Sequence, residues 1–307
     1  MCRVLLYAGK ALPLDELLYN PSSSLVRQSW DARQLRALNL GGFGLAAWDP
    51  GSHRAERPYS YRSTTLPLFD PNLRSLADKV RASCALAHVR GVPFEVHDGY
   101  GEHNLHPFQY EGFAWAMAHN GWLHGYPSMR QSLLGHIRPD IAPRMRGTTD
   151  SEGVYALVMS LLEDTGSGDP DALIAALLAA LRIVRQVRLA RGLHHGSALN
   201  LFFANGRDCV ALRYAFDFGC YPTDDPGRVS ELFLQYASLW YTQGERFGVE
   251  GGEWRMTGDP ARSDSVLIAS EPLTHDTTGW VEVPEYTAVI ARRVADGLRI
   301  TTTPVDV

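Results

Sequence analysis

The sequence predicts an α/β (α+β) sandwich, on three observations. Apolar runs of strand length stand near both ends of the chain, two helical segments stand together in its middle, and the order does not alternate as a βαβ dinucleotide fold requires. No GxGxxG follows a strand. At 307 residues the chain is long enough to bury a large core.

The elements follow from local pattern. Arg3–Ala8 reads as a strand that presents Cys2 at its start, and Phe43–Trp48 as a second, preceded by the turn Gly41-Gly42. Leu73–Ala82 has helical spacing, and Cys84–Val89 is an apolar run of strand length. Phe113–His119 reads as a strand that stops at Asn120-Gly121, a strong turn dipeptide. A helix is predicted from about Ser151 to Glu163, with Thr149 or Asp150 as its N-cap. Asp169 caps a long helix over Pro170–Arg191, with Pro170 at its first position and Gly192 past its end. Strands then follow at Ala198–Ala204, Cys209–Tyr214, Leu232–Ser238, Val266–Ser270, Thr287–Arg293 and Leu298–Thr303. The stretches 91–106 and 241–264 read as long loops of the kind that cover a site. No internal repeat or low-complexity tract appears.

Composition narrows the function classes. A net charge of −5 carries no electrostatic footprint for nucleic acid or an anionic membrane. The start, MCRVLLYAGK, lacks signal-peptide architecture, and Arg182, Arg185 and Arg188 break the most apolar helical segment, so no membrane span is expected. Cys2, Cys84, Cys209 and Cys220 are scattered without close pairing, which points to reduced thiols in a cytoplasmic protein rather than a disulfide framework or a zinc site.

The most informative position is Cys2. Its small side chain permits removal of Met1, which leaves one residue carrying both a thiol and a free α-amine. Such an amine titrates near ~7.7–8.0, so at neutral pH it is a usable proton acceptor for the thiol beside it. Three further groups stand where a strand ends or a helix starts. Asn120 and Gly121 offer a side-chain amide and a backbone N–H to a developing oxyanion. Arg90 suits a carboxylate and Asp150 an ammonium group. A site with those preferences binds an amino acid and attacks its side-chain acyl group. Each group also has a purely structural reading: a buried strand cysteine, a hairpin turn, a surface ion pair and a helix cap.

Together, Met1-Cys2-Arg3, Ala87-His88-Val89-Arg90, Ala118-His119-Asn120-Gly121 and Thr149-Asp150-Ser151-Glu152 resemble the motifs of the class II glutamine amidotransferases, a family of N-terminal-nucleophile hydrolases. Asn104-Leu105-His106-Pro107-Phe108, Phe202–Tyr214 and Ile268–Val283 extend the resemblance over nearly the whole chain and point to a stand-alone subgroup that includes hydrolases of γ-glutamyl amides. The resemblance implies a four-layer αββα sandwich over residues 1–307 as a single type-2 amidotransferase domain, and a cytoplasmic location. It implies Cys2 as nucleophile, Asn120 and Gly121 as the oxyanion hole, Arg90 and Asp150 as holders of the glutamine ends, and no cofactor. Two places depart from the family pattern: Gly41 stands where an acidic residue is usual, and Gly91-Val92 follow the arginine in place of Ala-Thr. Both bear on substrate choice.

His88, His119 and His106 are expected to support these residues, His106 by fixing the loop ahead of Pro107. The other histidines, His97, His103, His194 and His195 among them, show no helical metal spacing, so no metal site is expected. Ser197 and Ser265 lack a G-x-S-x-G context. Trp240, Tyr241 and Trp254 line an acyl pocket or pack in the core. Three functions stay open: a γ-glutamyl amide hydrolase acting on a small-molecule substrate, favoured because one sandwich uses all 307 residues; a glutaminase subunit feeding ammonia to a separate synthetase chain; and a non-catalytic binding scaffold.

Overall fold

The structure is a computed structural model and describes residues 2–34, 38–92, 101–217 and 238–307. Met1, His97, Cys220 and all of the expected strand Leu232–Ser238 except its last residue lie outside the described residues.

The strands, numbered along the chain, are β1 (Arg3–Pro13), β2 (Phe43–Trp48), β3 (Tyr59–Ser63), β4 (Arg81–Val89), β5 (Ala116–Trp122), β6 (Ser197–Ala204), β7 (Cys209–Phe216), β8 (Trp240–Gly244), β9 (Arg246–Glu250), β10 (Glu253–Thr257), β11 (Ser265–Ala269), β12 (Val281–Glu282), β13 (Thr287–Val294) and β14 (Gly297–Pro304). The helices are α1 (Asp15–Leu18), α2 (Pro71–Ala77), α3 (Tyr126–Leu134), α4 (Asp150–Leu161) and α5 (Pro170–Ala190). One large sheet has seven strands in the order β12-β8-β11-β1-β4-β2-β3, a second has five in the order β14-β13-β7-β6-β5, and β9 and β10 pair as a separate two-stranded ribbon. Every paired strand runs antiparallel to its neighbour.

Strand parity builds the layers. Side chains alternate across a strand, so Val4, Leu6 and Ala8 of β1 face the other sheet, while Leu5 and Tyr7 face away from it. The inward set meets Leu86 and Ile268 beside it and Ala116, Ala118, Phe202, Ala211 and Val289 opposite. The outward set is covered by Leu17 and Leu18 of α1 and Leu73 and Ala77 of α2. The second sheet turns Met117, Leu201, Phe203 and Leu212 onto Leu133, Val154, Leu157, Leu177, Leu181 and Val184 of α3, α4 and α5. The result is the αββα sandwich, with one thick helical layer and one made of two short helices. Each buried leucine or phenylalanine here contributes about 1.5–3 kcal/mol relative to exposure.

Several local expectations shift. The helical spacing at Leu73–Ala82 yields a helix only to Ala77, because Arg81 already joins the β4–β1 ladder opposite Pro13. The strand read as Phe113–His119 is β5, displaced to Ala116–Trp122, and Asn120-Gly121 is no turn: it stays in the ladder opposite Asn200 and Leu199. The stretch 241–264 is largely strand, with Gly251-Gly252 at positive φ closing the β9–β10 hairpin as a two-residue turn requires. Trp240 and Trp254 pack on the core beneath the first sheet, Trp254 against Phe247, while Tyr241 packs against the inter-sheet layer. These contacts favour the core-packing reading over the acyl-pocket one. The long helix forms as expected, its N-cap Asp169 accepting from Asp171 and Ala172 and Gly192 following at φ +63°. The N-cap of α4 is Thr149, which leaves Asp150 in the first turn.

Candidate active site

One end of the inter-sheet layer is polar, and strand parity decides which residues gather there. Cys2 continues the inward set Ala8, Leu6, Val4; His88 continues Cys84 and Leu86; Asn120 continues Ala116 and Ala118; Asn200 continues Ala204 and Phe202; Ser270 continues Val266 and Ile268. Five strands that interlock through apolar side chains thus end on a thiol, an imidazole, two amides and a hydroxyl.

The structure joins Cys2 to Arg90 through the ends of β1 and β4. Arg3 pairs with Val89, and the next residues outward meet: the Gly91 backbone N–H donates to Cys2 Sγ at 3.4 Å. Cys2 is half-buried. Asn120 reaches the same place from the other sheet. Its Nδ2 donates to Ser270 Oγ at 3.0 Å, and that oxygen also accepts the Val4 backbone N–H at 3.0 Å. Next to it, Gly121 has φ +151°, and a Cβ there would lie 1.9 Å from the Ala198 carbonyl oxygen, so only glycine fits.

Arg90 and Asp150 are linked indirectly. Arg90 Nη1 donates to the Asn104 carbonyl at 2.7 Å, and buried Asn104 accepts the Thr148 N–H through Oδ1 at 2.9 Å. Asp150 follows two residues later. Its Oδ2 accepts the Leu123 N–H at 2.6 Å and its Oδ1 the Ser151 N–H at 2.8 Å. The carboxylate therefore ties the exit of β5 to the N-terminus of α4, where the helix dipole also favours negative charge.

The three histidines form a buried spine between these parts. His106 packs against His88 with ring centroids 4.1 Å apart and the rings tilted by 51°, accepts the His119 N–H at 3.4 Å, and is joined to Pro107 by a cis peptide. His119 Nδ1 lies 2.9 Å from Ser151 Oγ on α4. Burial pushes His88 down to about 3 and His106 well below its ordinary value, so both rings are neutral at physiological pH. Among the described residues no three histidine, cysteine or acidic side chains converge as a metal set.

The two departures from the family pattern prove to be neighbours. Gly41 N–H donates to the Arg90 carbonyl at 2.8 Å, and a Cβ at position 41 would lie 2.6 Å from Val92 Cγ2. The space of a side chain at 41 is taken by the valine. Three further residues were not singled out from the sequence: Asn104, Ser270 and Glu271. Glu271 sits 3.5 Å from Arg3 Nη2, both side chains being 2% exposed, and accepts the Arg33 and Gln34 N–H groups. They lay inside the quoted motifs around Asn104 and Ile268–Val283, yet nothing in those strings marks which residue bonds to which strand.

Comparison with known proteins agrees with this architecture. The family model for glutamine amidotransferases class-II matches residues 30–216, a span that includes Arg90, Asn120, Gly121 and Asp150 and follows Cys2. The chain is 30% identical over 303 residues to the probable glutamine amidotransferase DUG3 of Saccharomyces cerevisiae, covering 92% of this chain and 80% of that one. It is 26% identical over 193 residues to the gamma-glutamyl-hercynylcysteine sulfoxide hydrolase of Mycobacterium tuberculosis, covering 58% of this chain and 72% of the relative. Among solved structures, a glutamine aminotransferase class-II domain protein from Silicibacter pomeroyi aligns with a TM-score of 0.60 at 21% identity, over 99% of this chain and 100% of that one. The glutamine phosphoribosylpyrophosphate amidotransferase of B. subtilis aligns at a TM-score of 0.54 and 16% identity, over 98% of this chain and 49% of its own. Those two likenesses concern the fold. No helix among the described residues is long and apolar enough to cross a membrane. By family match, sequence identity and fold, the chain belongs to the class II glutamine amidotransferases, enzymes of amide-bond chemistry built on the N-terminal-nucleophile sandwich.

Proposed function

We propose that this protein hydrolyses glutamine or a γ-glutamyl amide through a thioester on Cys2, after removal of Met1. The observation that carries the reading is that one oxygen, Ser270 Oγ, is bonded both to Asn120 from the second sheet and to the β1 backbone two residues after Cys2.

In this mechanism the Cys2 sulfur attacks the γ-carbonyl carbon while the Cys2 α-amine accepts the thiol proton. The C=O π pair moves to oxygen, and the oxyanion takes hydrogen bonds from Asn120 Nδ2 and the Gly121 N–H. The carbonyl re-forms as the C–N bond breaks, and the α-ammonium returns its proton to the departing ammonia or amine. Water, deprotonated by the same α-amine, attacks the thioester and releases glutamate and the thiol. Arg90 holds the α-carboxylate. Asp150 holds the α-ammonium through Oδ2, which accepts only the Leu123 N–H, while Oδ1 takes the Ser151 N–H and hydroxyl. His88, His106 and His119 keep the strand ends in register, and burial holds the His88 and His106 rings neutral. No cofactor takes part. Residues 1–307 act as a single type-2 amidotransferase domain, and the free thiols of Cys84 and Cys209 suit a cytoplasmic setting.

A second reading rests on the 30% identity to a relative named as an amidotransferase: the ammonia passes to a separate synthetase chain. Glutamine hydrolysis that is weak alone and rises strongly with a co-encoded synthetase selects it.

The test is the intact mass of the purified protein before and after a glutamine-mimicking diazoketone, with peptide mapping. Loss of Met1 and one adduct on Cys2 is the expected result. A retained Met1 with no adduct overturns the reading in favour of a binding scaffold, because an extended N-terminus has no basic amine beside the thiol.

A further inference from the structure

We infer that Ser270 is a positioning residue, setting the distance and the amide plane that relate Asn120 to Cys2; this rests on the roles proposed above for those two residues. Ser270 directly follows β11 and is 2% exposed. Its backbone is held on both sides: its N–H donates to the Val4 carbonyl of β1 at 3.0 Å, and its own carbonyl accepts from Ser238 Oγ, ahead of β8, at 2.8 Å. Its Oγ, facing into the inter-sheet layer, accepts the Val4 N–H and one Asn120 Nδ2 hydrogen, each at 3.0 Å. A single oxygen on a fixed backbone therefore ties the chain that carries Cys2, in one sheet, to the amide of the other sheet.

The Asn120 amide depends on that oxygen. The terminal torsion of an asparagine is broad and nearly two-fold, so an unanchored amide has no preferred plane. Asn120 is 1% exposed, and its Oδ1 has no hydrogen-bond partner among the described residues. The bond to Ser270 is thus what holds the rotation, and it leaves the second Nδ2 hydrogen for an oxyanion. Glu271 reinforces the arrangement from the opposite face of the sheet, where it meets Arg3, whose Nη1 donates to the Cys2 carbonyl at 3.0 Å. Ser270 and Glu271 grip β1 from both sides at the residues just after the thiol.

The experiment compares full-length wild type, Ser270→Ala and Ser270→Thr on L-glutamine, with kcat expressed per site labelled by the diazoketone. A misplacement of about 1 Å costs roughly 10²-fold. Ser270→Ala should therefore lose about 30- to 100-fold in kcat with KM changed less than about 3-fold, and Ser270→Thr should recover most of it. Alkylation of Cys2 by iodoacetamide, which needs no oxyanion hole, should keep its rate within about 2-fold. A wild-type kcat in Ser270→Ala overturns the inference, and so does an alkylation rate that falls in step with kcat. Should Ser270→Ala fail to fold, Ser270→Cys keeps the volume with a weaker acceptor, and a wild-type kcat there is equally fatal. Full turnover by Cys2→Ala, or no diazoketone adduct on wild type, instead sinks the underlying mechanism whatever Ser270 does.

Discussion

The layer between the two sheets has a cysteine environment at each end, and the two differ in every respect that governs thiol chemistry. At one end Cys84 on β4 and Cys209 on β7 face each other across the sheets with sulfurs 4.0 Å apart, both fully buried. The contact with Cys84 and then burial push the Cys209 thiol well up, which keeps it protonated. At the other end Cys2 is half-buried, takes the Gly91 N–H on its sulfur next to Arg90, which follows β4, and lies two residues before Val4, whose N–H shares Ser270 Oγ with the Asn120 amide that β5 brings across. Cys84 and Val89, the β4 residue paired with Arg3 next to Cys2, lie on the same strand, about 17 Å apart by strand rise. Identical side chains on one face of one sheet thus become packing at one end and a candidate nucleophile at the other. What differs is position at the chain start and the donors that surround the sulfur.

That comparison is breakable. Cys2→Ala should lower glutamine hydrolysis by about 10⁴-fold or more, while the thermal midpoint stays at the wild-type value. A loss of folding in step with activity would assign Cys2 to the same packing class as Cys84. Next in size, Asn120→Ala should reduce kcat by roughly 10²–10³-fold, read by steady-state kinetics, as loss of one oxyanion donor does. Gly121→Ala should cost about 3 kcal/mol of stability by urea unfolding, because the new Cβ meets the Ala198 carbonyl at a backbone angle that L residues avoid.

The polar end should also be the acid-sensitive end. Above about pH 6.5 the His88 ring is neutral in folded and unfolded chains alike. Below it the unfolded chain binds a proton that the folded chain refuses down to about 3. Stability should therefore fall with falling pH in that window, by about 1.4 kcal/mol per pH unit for this group. His88→Asn should remove that share of the slope in urea titrations at pH 4–6, and an unchanged slope would show that the ring is not held neutral. Smallest of all, Cys84→Ala should cost about 1–2 kcal/mol and leave kcat within about 2-fold. Faster iodoacetamide labelling of Cys84 than of Cys2 in the native protein would break the contrast outright.

Much of this was legible beforehand, for identifiable reasons. Runs such as FGLAAW and the helix from Asp169 to Gly192 carry their own punctuation, and they form as read. Asn120-Gly121 shows the limit. Its local preference is a turn, but pairing with Asn200 and Leu199 on a neighbouring strand outweighs that preference, and the same ladder carries the amide to the site. Trp254 falls in the stretch 241–264 that reads as loop, because β9 and β10 are only five residues each; Trp254 and Met256 alternate onto the core, and the strands exist through pairing and packing. Asp150 stood out as a charged residue at a helix start, whereas its bond to Leu123 at the exit of β5 depends on where the strand ends.

The chain by itself therefore determined the class of fold and the residue types able to bind and attack an acyl group. Alternation with period two is local, and so is the chemistry of a thiol beside an α-amine. Which residues meet was decided only by tertiary structure. Ser270 is 150 residues from Asn120, and Gly91 is 89 from Cys2. Strand register brings such distant residues together, and register depends on the summed burial of all strands rather than on any segment alone.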